Sequence, residues 1–190
     1  MKPPLRVTYS RSMATEGKAE KPPRPPGWWA LGATRMVVGY MWYGQTLWKL
    51  PPDWGGPGGL RHWVEESGTY AVPWYRAFVN GVVLPHFNLF APQIWAGETF
   101  IAISLVFGLF GRLGGALCFL MGVNLYYANS KVPHEWYWTY VFIALLGGIF
   151  AATRAGRYVG VDYYLVPRLE RLKERSGMMG KLGKVLLAFT

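Results

Sequence analysis

Cysteine is almost missing from this sequence: Cys118 is the only one in 190 residues. A lone thiol excludes an intrachain disulfide, a CxxC redox pair and a cysteine-ligated iron-sulfur cluster, and its ordinary role is that of a small buried apolar residue. Acidic residues are scarce as well, 10 against 20 Lys and Arg, for a net charge of +10. That balance alone would suit a nucleic-acid binder. The basic residues, however, gather at the two ends of the chain, and the windows between them are apolar and of membrane-spanning length, which points away from nucleic acid as a partner. No nucleophile–base set, phosphate loop, haem attachment motif, flavin fingerprint or metal-ligand spacing is visible, so the sequence carries no legible electron relay of its own.

What the chain has in abundance is apolar and aromatic side chains, 52% and 17% of its residues. Residues 1–27 are a basic, proline-rich arm ending in Lys21-Pro-Pro-Arg-Pro-Pro26, with no amphipathic period that could bury a core. A first span is expected from Trp28 to Leu50, about 23 residues or roughly 34 Å of helix, stopped by Pro51-Pro52. Three more follow at about Leu89–Gly111, Leu113–Ser130 and Trp136–Thr153. The connection between the first two opens with Asp53-Trp-Gly-Gly-Pro-Gly-Gly59 and is long enough to hold structure of its own. Leu60–Glu66 reads as a short helix. Trp74–Leu84, behind Pro73, reads as an interfacial or re-entrant piece too short to span. In the fourth span Ala144, Gly148 and Ala152 recur every four residues and form a small-residue face for close helix contact. The tail beyond Asp162 mixes basic residues with Leu165, Leu169, Leu172, Leu182, Val185 and Leu186, a pattern suited to a helix on a membrane surface.

Orientation follows from counting Lys and Arg on either side of these spans. Fifteen fall with the arm, the turn at Arg112 and the tail, against Lys49, Arg61, Arg76 and Lys131 on the other side. The expected fold is therefore an all-α membrane protein: a four-transmembrane-helix bundle with an interfacial or re-entrant segment between helices 1 and 2. Both termini would be cytoplasmic and the chain multi-pass in the cytoplasmic (inner) membrane. Its expected divisions are the arm at 1–27, the bundle at 28–165 and a basic amphipathic tail at 166–190.

Two charges sit deep inside the spans, Arg35 and Glu98, while Lys49 closes the first. An ionisable group in hydrocarbon costs on the order of 2.5–3.5 kcal/mol on insertion scales and so usually faces a bundle interior or wet cavity. Arg35 lies about 10 Å from one membrane edge and Glu98 about 14 Å from the other, which in a core of about 30 Å leaves a gap of about 6 Å. The sequence thus predicts a buried Arg35–Glu98 pair, direct or linked by water or a ligand, serving helix register, a ligand or quinone site, or proton handling.

A family resemblance runs through these same residues. Arg35-Met-Val-Val-Gly39 with Lys49 closing the first span, Glu98 in the second, Phe107-Gly-Leu-Phe-Gly-Arg112 at the turn and Gly156-Arg-Tyr-Val-Gly-Val-Asp162 after the fourth resemble the DoxX/DoxD family of small four-helix membrane proteins. Trp74-Tyr-Arg-Ala-Phe78 leading to Val83-Leu-Pro85 is similar to the DoxD branch, and the resemblance covers about residues 28–165. It implies association with quinone-linked electron transport, either as an accessory subunit of a larger respiratory or photosynthetic complex or as the membrane subunit of a thiosulfate:quinone oxidoreductase. Membrane lipid, other membrane subunits and quinone are then the implied partners, with no covalently bound cofactor. A quinone slot would draw on Trp42, Tyr43, Gln45, Trp95 and Asn124. A sulfur oxyanion would be attracted on the outer side by Lys49, Arg61, His62, Arg76, His86, Lys131 and His134. Arg157 and Asp162 are expected to cap the helix end at the turn into the tail.

Overall fold

Gly27, in the left-handed conformation at φ 74°, opens the first helix, and no proline interrupts the chain again until Pro51. The computed structural model describes Arg24 and residues 26–190; the expectations for the rest of the basic arm lie outside the described residues. Among the described residues the fold is all-helical. Helix α1 spans Trp28–Leu47, α2 Leu60–Tyr70, and α3 Pro73–Phe78, which runs on through a π-turn at Val79–Val83. Helices α4 (Phe87–Phe107), α5 (Gly111–Asn129) and α6 (Trp138–Thr153) follow, and α7 (Val161–Lys173) and α8 (Met178–Phe189) form the tail. Each of the four apolar windows forms a helix, and α4 is the one long and apolar enough to cross a membrane; α6 is apolar but has 16 residues.

Glycine sets how closely these helices meet. At Gly39 a Cβ would lie 2.6 Å from the Val106 amide nitrogen, so α1 rests directly on the α4 backbone. Between α5 and α6, a Cβ at Gly122 would stand 2.6 Å from the Ala144 nitrogen and one at Gly115 2.6 Å from that of Ala151; Gly147 presses on the Phe119 amide. The neighbour of the small-residue face is therefore in this chain. The contact runs through Ala144, Gly147 and Ala151, not through the strict four-residue repeat, and Ala152 is exposed. A repeat of four drifts around a helix of 3.6 residues per turn, so the third member rotates off the interface.

Val38 and Trp42 of α1, Ile101 and Leu105 of α4, Cys118 of α5 and Phe150 of α6 meet in the central core. A smaller cluster of Leu60, Phe87 and Ala91 seats α2 on the first turns of α4. Cys118 is fully buried, as expected of an inert thiol, and the Trp42 indole donates to its sulfur at 3.3 Å. Helices α7 and α8 form a hairpin around Gly177 (φ 76°), with Gly180 and Gly183 laid on the Lys173–Arg175 backbone. The boundary expected at 165/166 falls within α7.

These contacts distinguish glycines that look alike in sequence. Gly147→Ala is expected to destabilise the protein by about 1–3 kcal/mol through overpacking. Gly44→Ala, whose Cβ would meet nothing within 4 Å, is expected to be neutral or stabilising. Thermal unfolding of the two variants in one detergent checks the contrast.

Candidate functional site: two buried charge sites on the α1–α4 seam

Glu98 lies midway along α4 and is buried. Its partner is Lys49, not Arg35. Helix α1 stops at Leu47, the Lys49 amide donates to the Thr46 carbonyl at 3.3 Å, and this tightened turn sends the Lys49 side chain back along the seam. Its Nζ donates to both Oε1 and Oε2 of Glu98 at 2.6 Å, with only 7% and 2% of the two side chains exposed. The ammonium also sits 4.6 Å from the centre of the Trp48 ring. Beside it, the Trp95 indole donates to the Thr46 carbonyl at 3.3 Å, and the Thr46 hydroxyl to the Tyr43 carbonyl at 2.8 Å. Away from water an ammonium bonded to both carboxylate oxygens offsets much of the cost of burying either group.

The expected Arg35–Glu98 pair fails because the two helices are staggered. Gly39 is level with Leu105 and Val106, and Thr46 with Trp95. That register separates Arg35 from Glu98 by about ten residues, on the order of 15 Å along the axes. The two helices do not begin and end at common levels. Instead, the first turns of α1 overshoot the end of α4 and reach Val159, whose Cγ2 would lie 2.7 Å from a Cβ on Gly32.

Arg35 is fully buried at that overshooting end. Its guanidinium donates to the carbonyls of Leu105, Ser104 and Val159; Nε has no hydrogen-bond partner. It lies against Gly108, where φ is 65° and a Cβ would come within 2.8 Å of Nη1. Asp162 completes the junction. Its Oδ1 accepts from the Phe110 amide at 2.8 Å and its Oδ2 from the Gly111 amide at 2.7 Å, capping α5, while its own amide donates to the Gly108 carbonyl at 2.9 Å. Burial pushes the Asp162 carboxyl above its usual range, opposed by those two amides and by Arg157 and Arg35. The expected cap is thus present with a different client, the start of α5. Arg157 serves another, donating to the Leu187 carbonyl at 3.2 Å and the Thr190 hydroxyl at 3.0 Å.

Four of the five residues expected in a quinone slot, Trp42, Tyr43, Gln45 and Trp95, sit near the end of α1, and Asn124 is on α5. Trp42 faces Cys118, Gln45 accepts from the Trp48 indole, Trp95 is tied to Thr46, and Asn124 accepts from the Tyr75 hydroxyl at 2.7 Å; Tyr43 is exposed. None of them lines the groove of about 260 Å³ between α5 and α6, which is walled by Phe119, Tyr126, Tyr140 and Leu145.

The cationic set is not gathered in one site. Lys49 is taken by Glu98. Arg61 and His86 line a cavity of about 290 Å³ beside Leu84–Leu89, although Arg61 also pairs with Glu65 at 2.9 Å. His62 and His134 approach Glu66 at 4.0 and 3.5 Å, Arg76 donates to the Thr69 carbonyl, and Lys131 is exposed. Sequence reasoning missed Glu66, although its four-residue spacing from His62 on α2 was a usable signal. It also misjudged Lys49. A cation two residues beyond a helix end has the reach to fold back onto that helix's seam.

The chain matches no family model, and neither the curated proteins nor the solved structures give a match.

Lys49→Met and Glu98→Gln are each expected to lower stability by about 3–5 kcal/mol, because each strands a buried polar partner. The double variant should recover most of that loss. A double-mutant cycle by thermal unfolding in detergent reads the coupling, and additive single effects would show that the pair contributes nothing specific.

Proposed function

We propose that the chain is a DoxX/DoxD-like integral membrane subunit of a quinone-linked electron-transport complex, with an accessory, architectural role. In this reading α1, α4, α5 and α6 are four spans, α3 and its π-turn form an interfacial element, and both termini face the cytoplasm. The observation that carries the proposal is the distribution of polarity. Arg35, Lys49 and Glu98 are buried, while Val37, Met41, Leu120, Phe142, Leu145 and Ile149 are exposed on the helices around them. A protein surrounded by water does not present so large an apolar exterior without a purpose, whereas a lipid-facing bundle requires one.

The accessory role rests on how the buried charges are used. Lys49 and Glu98 bond to each other, and Arg35 bonds to three backbone carbonyls. Such groups fasten helices. A site that turns over a substrate would instead direct them into a cavity.

The thiosulfate:quinone oxidoreductase reading draws on one observation, the placement of Arg61 and His86 along the 290 Å³ cavity. There a cation and an imidazole could hold a sulfur oxyanion.

Purification from native membranes in a mild detergent, with identification of co-purifying chains and bound quinone and an assay of thiosulfate-dependent quinone reduction, separates the two. Stable association with a larger cofactor-bearing complex and no turnover is the expected result. Turnover by this chain alone, or with one small partner, would overturn the accessory role in favour of the enzyme.

A further inference from the structure

The bundle and its buried charges leave the outward face of α8 without a role. Met178, Leu182, Val185 and Phe189 recur at i, i+4, i+7 and i+11, so they share one face of the helix. All four are exposed, Met178 at 83%. The opposite face cannot turn outward. Gly180 and Gly183 lie so close to the α7 backbone that a Cβ on Gly183 would stand 2.6 Å from the Lys173 nitrogen. Two arginines fix the far end: Arg112 donates to the Ala188 carbonyl at 3.3 Å and Arg157 to the Leu187 carbonyl at 3.2 Å. These bonds satisfy helix-terminal acceptors and place cations at the negative end of the helix dipole. The apolar stripe is therefore held in a fixed attitude beside the α4–α5 turn.

Charge indicates what covers it. Lys181 and Lys184 are exposed on the flank next to Val185. From Arg171 to Thr190 there are five basic residues, Arg171, Lys173, Arg175, Lys181 and Lys184, against one acid, Glu174. An apolar stripe bordered by lysines fits an anionic leaflet, with acyl chains receiving the stripe and phosphates receiving the lysines.

We propose that α8 is a lipid-binding element that lies in the cytoplasmic headgroup layer, with Met178, Leu182, Val185 and Phe189 sunk towards the acyl chains and Lys181 and Lys184 on anionic phosphates. The proposal rests on the membrane reading above and adds the lipid class and the face that binds it. It also gives Arg112 and Arg157 a function: they clamp α8 at a constant height against the bundle.

Hydrogen exchange of the full chain in nanodiscs tests this, comparing phosphatidylcholine alone with phosphatidylcholine containing phosphatidylglycerol. Amides of Met178–Phe189 should exchange more slowly in the anionic discs and lose that protection in high salt. With each surface lysine worth about fivefold in membrane affinity, K181Q/K184Q should lower it about twenty-five-fold and the protection with it, while α4 and α5 exchange as before. Equal protection in both discs, insensitive to salt, would overturn the anionic assignment and leave neutral lipid or a second chain on the stripe. Absence of protection in either disc would sink the proposal with the bundle intact. Alkaline carbonate extraction of native membranes tests the underlying reading separately: release of the chain would remove both, whereas retention of the chain with an unprotected α8 would remove this one alone.

Discussion

Arg35 is the interaction on which the arrangement of the helices depends. One fully buried guanidinium reaches carbonyls from the last turn of α4 and from the loop before α7, and it lies against Gly108 in the turn that launches α5. Three segments far apart in sequence, the start of α1, the end of α4 with its turn and the loop before α7, are thereby set around one cation. A lysine could not do this, because a single ammonium on a flexible stem lacks the planar fork that presents several N–H groups at fixed angles. Asp162 supplies the balancing charge and spends both its oxygens on the amides that open α5. The glycines at 108, 111, 156 and 160 follow from the same junction. At each of them a Cβ would come within about 3 Å of a neighbouring segment or of Arg35 itself.

The second buried charge site stands at the other end of the same seam. Lys49–Glu98 ties the end of α1 to the middle of α4, and Gly39 between the two sites lets the backbones touch. Charge–carbonyl bonds at one end, an ion pair at the other and close packing between them fix both the distance and the register of α1 on α4. A slide of one turn would bring a side chain against the α4 backbone that Gly39 now touches. A slide of about 5.4 Å would strand both charges at once.

Much of this was legible in the sequence, and the limits have a physical source. Helix positions followed from apolar runs, but the runs overshoot the helix ends: the expected first span reaches Leu50 and the second Gly111, whereas α1 ends at Leu47 and Gly108 ends α4 at Phe107. Arg35 and Glu98 were correctly read as buried, because a charge within a long apolar run has little alternative. Pairing them was an error of register. Sequence gives the length of each helix but not its stagger, and a shift of the kind seen between α1 and α4 exchanges one partner for another. Lys49 escaped because it lies beyond the helix end, where a cation ordinarily faces water; its fold-back depends on a local turn that periodicity does not encode. The Gly156–Asp162 motif was legible as a cap, yet that its client is α5 required the tertiary fold.

The placement of polar groups also constrains where this molecule can meet others. Apart from Arg35 Nε, the buried groups of Arg35, Lys49 and Glu98 are bonded within the chain, so the four long helices offer mainly shape and apolar surface along their flanks, and a partner there would be selected by packing. The two ends are different. One carries the Arg61–His86 cavity and the Glu66 pair of histidines, the other the arginine-clamped hairpin of α7 and α8 and Arg24, whose guanidinium stacks over Trp28 and Tyr163. Among the described residues exposed charge therefore gathers at the ends, which the α1–α4 seam connects. Fixing the height of charged ends relative to the apolar belt between them is a physical reason to keep buried charges bonded.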